Sequence, residues 1–364
     1  MKKVDELMKA AVEDGVFSGG SLLVAVNHSV VFNESYGETD SLSGIPVASN
    51  TVFDLASLTK PLATVPAVMQ LITENKLSLE TKVSEIFPSY TGDGKQRITI
   101  ANLLCHNSGL PDYRPYYKEL RQLKWDERSA ALKNMVFNEP LINIPGEKVV
   151  YSDLGFMILC WLVEELSNMK FERFIHEKIY KPLGIQELFF NQREQNLHDR
   201  RQYAATEDCP WRKTVISGSV HDDNAWVIGG VCGHAGLFGT IQGVYSLLVE
   251  YLAMFNAEHN QTSFDTAVMK EFLSEYKKTG RTLGFDMPSK QNSSSGEYFS
   301  ELTVGHLGFT GTSFWMDLQQ EIIIILLSNR VHPSRDNIKI QKLRPEVHNC
   351  IMRILLRKKN TAGS

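Results

Sequence analysis

The chain has no run of about 18 apolar residues, the length a helix needs to cross a bilayer, so no membrane partner is expected. Basic residues are not in excess. Lys and Arg number 38 against 42 Asp and Glu, a formal charge of −4 that gives no field for a nucleic acid backbone. Cysteine is scarce and odd in number. Cys105, Cys160, Cys209, Cys232 and Cys350 are scattered and include no Cys-x-x-Cys, so neither a disulfide framework nor a zinc motif is indicated. A cytoplasmic, reduced protein is the expectation. No Gly-x-Gly-x-x-Gly follows a strand, which argues against a dinucleotide cofactor. There is no internal repeat. Met1-Lys2-Lys3 is not followed by an apolar signal segment. Instead Val4, Leu7, Met8, Ala11 and Val12 recur at helical spacing, which reads as the first helix of the fold.

What remains is ordinary globular composition, 43% hydrophobic and 22% charged over 364 residues. Ser21 to Val26 and Val30 to Tyr36 are apolar runs around Asn27-His28-Ser29, a β-hairpin pattern. An apolar helix is expected to start near Ser57 and to kink at Pro66. From Leu77 to Tyr180 the pattern is mostly helical, whereas 189–223 lacks periodicity and reads as a binding loop. Helices are expected over Val244–Phe255, Phe264–Tyr276 and Gln341–Leu356, with a polar loop over Ser289–Ser300. Strands are expected over Thr303–Leu307, Thr312–Asp317 and Glu321–Ser328. The expected fold is therefore α/β (α+β), one antiparallel sheet built from both chain ends and flanked by helices. Residues 1–60 and 215–364 would form the α/β part, and 61–214 a mostly helical inserted part.

Four stretches can carry chemistry. Ser57-Leu58-Thr59-Lys60 puts a hydroxyl and an amine one helical turn apart, and a lysine of lowered pKa could activate the serine. Pro61 places the helix start nearby, where free N–H groups could serve an oxyanion. Tyr151-Ser152-Asp153 offers a phenol and a carboxylate, or else a strand end and a helix cap. Gly305, Gly308 and Gly311 recur every third position, either letting a ligand lie close to a strand or marking a bulged edge. The fourth stretch is a pair, Val220-His221-Asp222-Asp223-Asn224-Ala225 and Gly233-His234-Ala235-Gly236-Leu237-Phe238. Its spacing fits no metal motif, and a polar turn feeding a pocket wall is the better reading.

Taken together, Ser-x-x-Lys, Tyr-Ser-Asp and a His306-Leu307-Gly308 strand, in that order, resemble the penicillin-recognising serine hydrolases. That group includes class C β-lactamases, DD-peptidases and related esterases and amidases. His106-Asn107-Ser108-Gly109-Leu110-Pro111 and Pro145-Gly146 are similar to segments of the same family. The resemblance implies that Ser57 is the acylated nucleophile, Lys60 the base or proton store, and Tyr151 its partner. Asp153 stands where the family has Asn and would orient Lys60. His306 stands where β-lactamases have Lys. The backbone N–H groups of Ser57 and Phe309 would form the oxyanion hole. The 220–225 and 233–238 pair resembles a branch with exo-acting N-acetylmuramyl-L-alanine amidases, which implies substrate contacts by Gly308, His221, Asn224 and His234. The implied partner is a small-molecule amide, ester or muropeptide, with no cofactor and no metal. Carboxylesterase, weak β-lactamase and silent binding protein stand as alternatives. Nothing in the sequence sets an oligomeric state.

Overall fold

The central feature of the computed structural model is a five-stranded antiparallel sheet. Across the sheet the order is Ser29–Gly37, Gly19–Val26, Ile322–Ser328, Ser313–Asp317, Thr303–Leu307. The structure describes residues 1–41, 44–192, 201–257, 264–276, 279 and 281–362. The hairpin forms because Asn27 and His28 both take positive φ, 48° and 60°, the backbone of a tight two-residue turn. The Gly19–Val26 strand then pairs along its length with Ile322–Ser328, so the two chain ends share one sheet.

Those two central strands read as unbroken apolar runs because both of their faces are covered. Leu22, Val24, Ile322, Ile324 and Leu326 face a first core with Val4 and Met8 of the Lys2–Glu13 helix and Val347, Ile351 and Met352 of the Ile340–Ala362 helix. Leu23, Ala25, Ile323, Ile325 and Leu327 point the other way, into a larger core shared with the helical body. In that body lie the Val65–Thr73 helix, buried from Val65 to Leu71, and the long Asp153–Ser167 and Ile241–Phe255 helices. A small sheet, with Phe53–Asp54 and Leu188–Phe190 on either side of Leu237–Gly239, carries the chain up to Ser57.

Several boundaries differ from the sequence expectation. The segment 77–180 is less helical than expected. Short helices such as Ile100–Leu104 and Arg128–Asn138 are separated by irregular backbone at 105–116 and 139–152, where Gly109 and Gly146 take positive φ. The stretch 189–223 is not structureless, since Asp208–Cys209 pairs with Thr214–Val215; positions 193–200 lie outside the described residues. The expected 264–276 helix is confined to Thr266–Leu273, and the last helix runs through Pro345.

The helix at Ser57 differs most. Ala56–Leu58 is a 3₁₀ turn, Lys60–Thr64 a π turn, and the regular α-helix begins only at Val65. Pro66 has no N–H to return to the turn before it. The carbonyls of Pro61 and Leu62 are instead met from the side by the buried hydroxyls of Tyr251 (3.2 Å) and Tyr180 (2.9 Å).

Candidate active site

Ser57 sits on a strained turn. Ala56 has φ 48°, a left-handed conformation that costs a non-glycine residue about 1–2 kcal/mol. The turn is tied down on every side. Asp54 Oδ1 accepts the Ala56 N–H at 2.9 Å. The Thr59 hydroxyl donates to the Ala56 carbonyl at 2.6 Å and accepts the Leu237 N–H at 3.1 Å. The Leu55 carbonyl takes the Thr312 hydroxyl at 3.0 Å. Neither the Ser57 N–H nor the Phe309 N–H donates to a protein acceptor among the described residues.

Lys60 is fully buried, and its Nζ donates to Ser57 Oγ at 3.0 Å, Asp153 Oδ1 at 2.7 Å and the His234 carbonyl at 3.2 Å. Burial pushes the ammonium toward the neutral form. The Asp153 carboxylate and the Tyr151 hydroxyl outweigh it, so the pKa of Lys60 lies above the usual lysine range. The amine is thus charged in the resting site, and the lowered pKa that the Ser-x-x-Lys spacing invites is not what the site produces. The reason is Asp153, which opens the Asp153–Ser167 helix with its carboxylate aimed at Nζ.

Tyr151 is 37% exposed along its ring, while its hydroxyl end is buried and faces both Lys60 and Ser57. Burial raises its pKa, only partly offset by Lys60, so it stands as a neutral phenol. The ring stacks on His106 at 4.4 Å between centroids, and the Lys60 ammonium lies 4.8 Å from the Tyr151 centroid. Ser152 does not cap the helix with its side chain. Its hydroxyl donates to the Pro111 carbonyl at 2.6 Å, and its N–H to His106 Nδ1 at 3.0 Å. The 106–112 turn therefore fixes where Tyr151 and Asp153 point.

His306 is buried beside Tyr151, with the two rings 6.0 Å apart. Its Nδ1 lies 2.9 Å from the Leu307 carbonyl, so Nδ1 carries the proton and Nε2 keeps a lone pair. Burial brings its pKa down to about 4, and the ring is neutral at pH 7. His106 is likewise pushed well below the usual range by burial.

Two other histidines are acid-paired. His234 Nε2 lies 3.0 Å from Asp222 Oδ1, and that carboxylate outweighs burial and holds His234 well above the usual imidazole range. His221 Nε2 lies 3.2 Å from Glu207 Oε2, and Glu207 also takes both forks of Arg335. On the same wall Asp223 is held by Arg212 at 2.7 Å and by the Trp211 indole at 3.1 Å.

A cavity of about 360 Å³ joins these parts. Its wall includes Ser57, Tyr113, Tyr151, Asp153, His221, Asp222, His234, Phe309 and Arg335. Four sequence candidates, Lys60, His306, Asn224 and Gly308, are not part of that wall. The Asn224 side chain is fully buried and spent on backbone, accepting the Tyr117 N–H at 2.9 Å and donating to the Arg114 carbonyl at 2.8 Å. Gly308 is glycine for a packing reason: a Cβ there would stand 2.0 Å from Thr312 Oγ1 and 2.7 Å from the Leu55 carbonyl. Gly305 is similarly filled by Trp315, so this glycine rhythm serves the protein's own close packing rather than a ligand's approach. Sequence reasoning passed over Glu207 and Arg335, gave Asp54 no role although it stands three residues before Ser57, and named His106 only within the His106–Pro111 segment.

A family model described as "Beta-lactamase" matches residues 4–348 of the chain. A protein of Salmonella enteritidis PT4 described as "Putative D-alanyl-D-alanine carboxypeptidase" is 28% identical over 369 residues, spanning 93% of this chain and 85% of that protein. Among solved structures, EstCE1, described as a hydrolase with promiscuous acyltransferase activity, superposes with a TM-score of 0.72 at 20% identity, covering 95% of this chain and 98% of its own. The octameric penicillin-binding protein homologue of Pyrococcus abyssi gives 0.70 at 18% identity, covering 94% and 76%.

Proposed function

Because the chain belongs to the beta-lactamase family of serine hydrolases, we propose that it cleaves an amide or ester through an acyl-enzyme on Ser57, with a muropeptide amide as its substrate. One observation carries this reading. Ser57 Oγ, Lys60 Nζ and Asp153 Oδ1 form a continuous chain of 3.0 Å and 2.7 Å contacts, and the N–H groups of Ser57 and Phe309, two residues that line the same cavity, have no protein acceptor among the described residues.

In this mechanism the substrate carbonyl oxygen takes the Ser57 and Phe309 N–H groups, which stabilise the charge that develops there. Ser57 Oγ forms the new bond to the carbonyl carbon as its proton passes into the Tyr151–Lys60 pair. The tetrahedral adduct collapses, the C–N or C–O bond breaks, and the same pair returns a proton to the leaving group. A water then repeats the cycle on the ester and frees Ser57. Since Lys60 and Tyr151 both hold their protons at rest, the active form is the one from which that pair has lost a single proton. Asp153, by stabilising the ammonium, makes that loss harder and moves activity toward alkaline pH.

Neutral His306 offers no fixed cation to a β-lactam carboxylate, which speaks against efficient β-lactam hydrolysis. The exposed edges of Tyr113, Tyr151 and Phe309 favour a carboxylesterase as second reading. The five cysteines are free and four are buried, which supports a reducing compartment such as the cytoplasm. Turnover of short p-nitrophenyl esters, a chromogenic cephalosporin and a MurNAc-peptide, measured side by side, separates the readings. Cleavage of the MurNAc-peptide supports the amidase, and cleavage of the ester alone removes it. A fluorophosphonate adduct that is absent from wild type, or that survives Ser57→Ala, removes Ser57 from the nucleophile's role, and its absence from wild type favours a silent binding protein.

A further inference from the structure

Asp54 is a buried carboxylate with no ion-pair partner among the described residues. Such a group is costly unless its acceptors are used, and here each one is used on a different wall of the site. Oδ1 accepts the N–H of Ala56, the residue whose left-handed turn presents Ser57. Oδ2 accepts the N–H of His221, which lines the cavity, at 2.6 Å. The Asp54 carbonyl accepts the Thr310 hydroxyl at 2.7 Å, next to Phe309. Asparagine could not replace it, because its amide group would turn a donor toward one of the two N–H groups.

We propose that Asp54 is a positioning residue for acyl transfer: its carboxylate holds Ala56 in the turn that aims Ser57 into the cavity and locks the His221 wall to that turn. The proposal rests on the serine-hydrolase reading above. Asp54 touches no substrate, so it acts on kcat rather than on KM. The Ala56 N–H is pinned because alanine at φ 48° would otherwise relax toward the ordinary helical region. Glycine occupies that conformation freely, so Ala56→Gly should need the carboxylate less.

The test uses full-length wild type, Asp54→Asn, Ala56→Gly and the double variant, with p-nitrophenyl ester kinetics, fluorophosphonate labelling rates and Tm for each. Asp54→Asn is expected to lower kcat about 30-fold with KM within about threefold, and labelling should slow in parallel. The double variant should recover about tenfold of that loss without recovering Tm. A kcat within threefold of wild type in Asp54→Asn, or no recovery on adding Ala56→Gly, overturns the proposal. Hydrogen exchange on wild type covers the case in which Asp54→Asn does not fold. The Ala56 and His221 amides should exchange at least about 100-fold more slowly than those of Ser57 and Phe309, and equal rates overturn the proposal. A wild type that neither labels nor turns over defeats the serine-hydrolase reading instead, and the exchange rates still decide the role of Asp54.

Discussion

Four buried histidines surround the site in two groups with contrasting partners. His106 and His306 stand beside Tyr151 with no carboxylate on their rings and are kept neutral by burial. His221 and His234 stand on the wall with Arg335, and each has a carboxylate on Nε2. The residue type is the same; what differs is whether a carboxylate sits on Nε2. The histidines on the Tyr151 wall therefore add no charge beside the Lys60–Asp153 pair, whereas the His221–His234 wall carries the charged partners Asp222, Glu207 and Arg335.

The hardest way to break this contrast is to remove what both walls serve. Ser57→Ala should lower kcat at least about 10⁴-fold on any substrate that wild type turns over, and should abolish the fluorophosphonate adduct in intact mass. Next comes the charged wall. Asp222→Asn leaves the His234 imidazolium without its anion and should cost about 3 kcal/mol in denaturant unfolding at pH 6. The sign follows from both partners. The His234 contribution is present below the unfolded imidazole pKa and fades as pH rises through its raised folded value. The Asp222 contribution is present above the unfolded carboxylate pKa and fades in acid.

The Tyr151 wall titrates in the other sense. His306 binds its proton near pH 6.5 when unfolded and near 4 when folded, so stability falls as pH drops between those values. His306→Gln should remove about 2 kcal/mol of the stability lost between pH 7 and pH 5, measured as unfolding free energy against pH. Asp153→Asn removes the charge that raises Lys60, so the acid limb of kcat/KM should move down by about one pH unit. The smallest effect sharpens the contrast directly. His306→Lys places a cation on the Tyr151 wall and should raise kcat/KM about threefold for carboxylate-bearing substrates relative to their amides; no gain with any such substrate would count against the reading of that position.

Spacing made Ser57 and Lys60 neighbours on paper, and the 3.0 Å contact shows them as neighbours in the fold. The hairpin, the paired chain ends and the long helices were readable because each follows an uninterrupted apolar period. The π turn at Lys60–Thr64 was not, since the hydroxyls that satisfy its carbonyls belong to Tyr180 and Tyr251, more than a hundred residues away in sequence. The charge of Lys60 was half readable: Asp153 was in view, but its 2.7 Å approach depends on the 106–112 turn. Asn224 and the Gly305–Gly311 rhythm were open to two readings for one reason, that groups able to meet a ligand are equally able to meet the protein's own backbone and side chains.

The pairing of Gly19–Val26 with Ile322–Ser328 has a consequence for how the protein is made. The hairpin is finished early in synthesis, but one edge of it waits about 300 residues for its partner, and such distant pairings close slowly. Phe309 and Thr310, which abut the Ser57 turn, emerge in that same late stretch. Ser57 and Lys60 are thus translated early but gain their last neighbours late, and any Ser57-dependent activity should first be measurable on the ribosome only once the strand ending at Ser328 has cleared the exit tunnel.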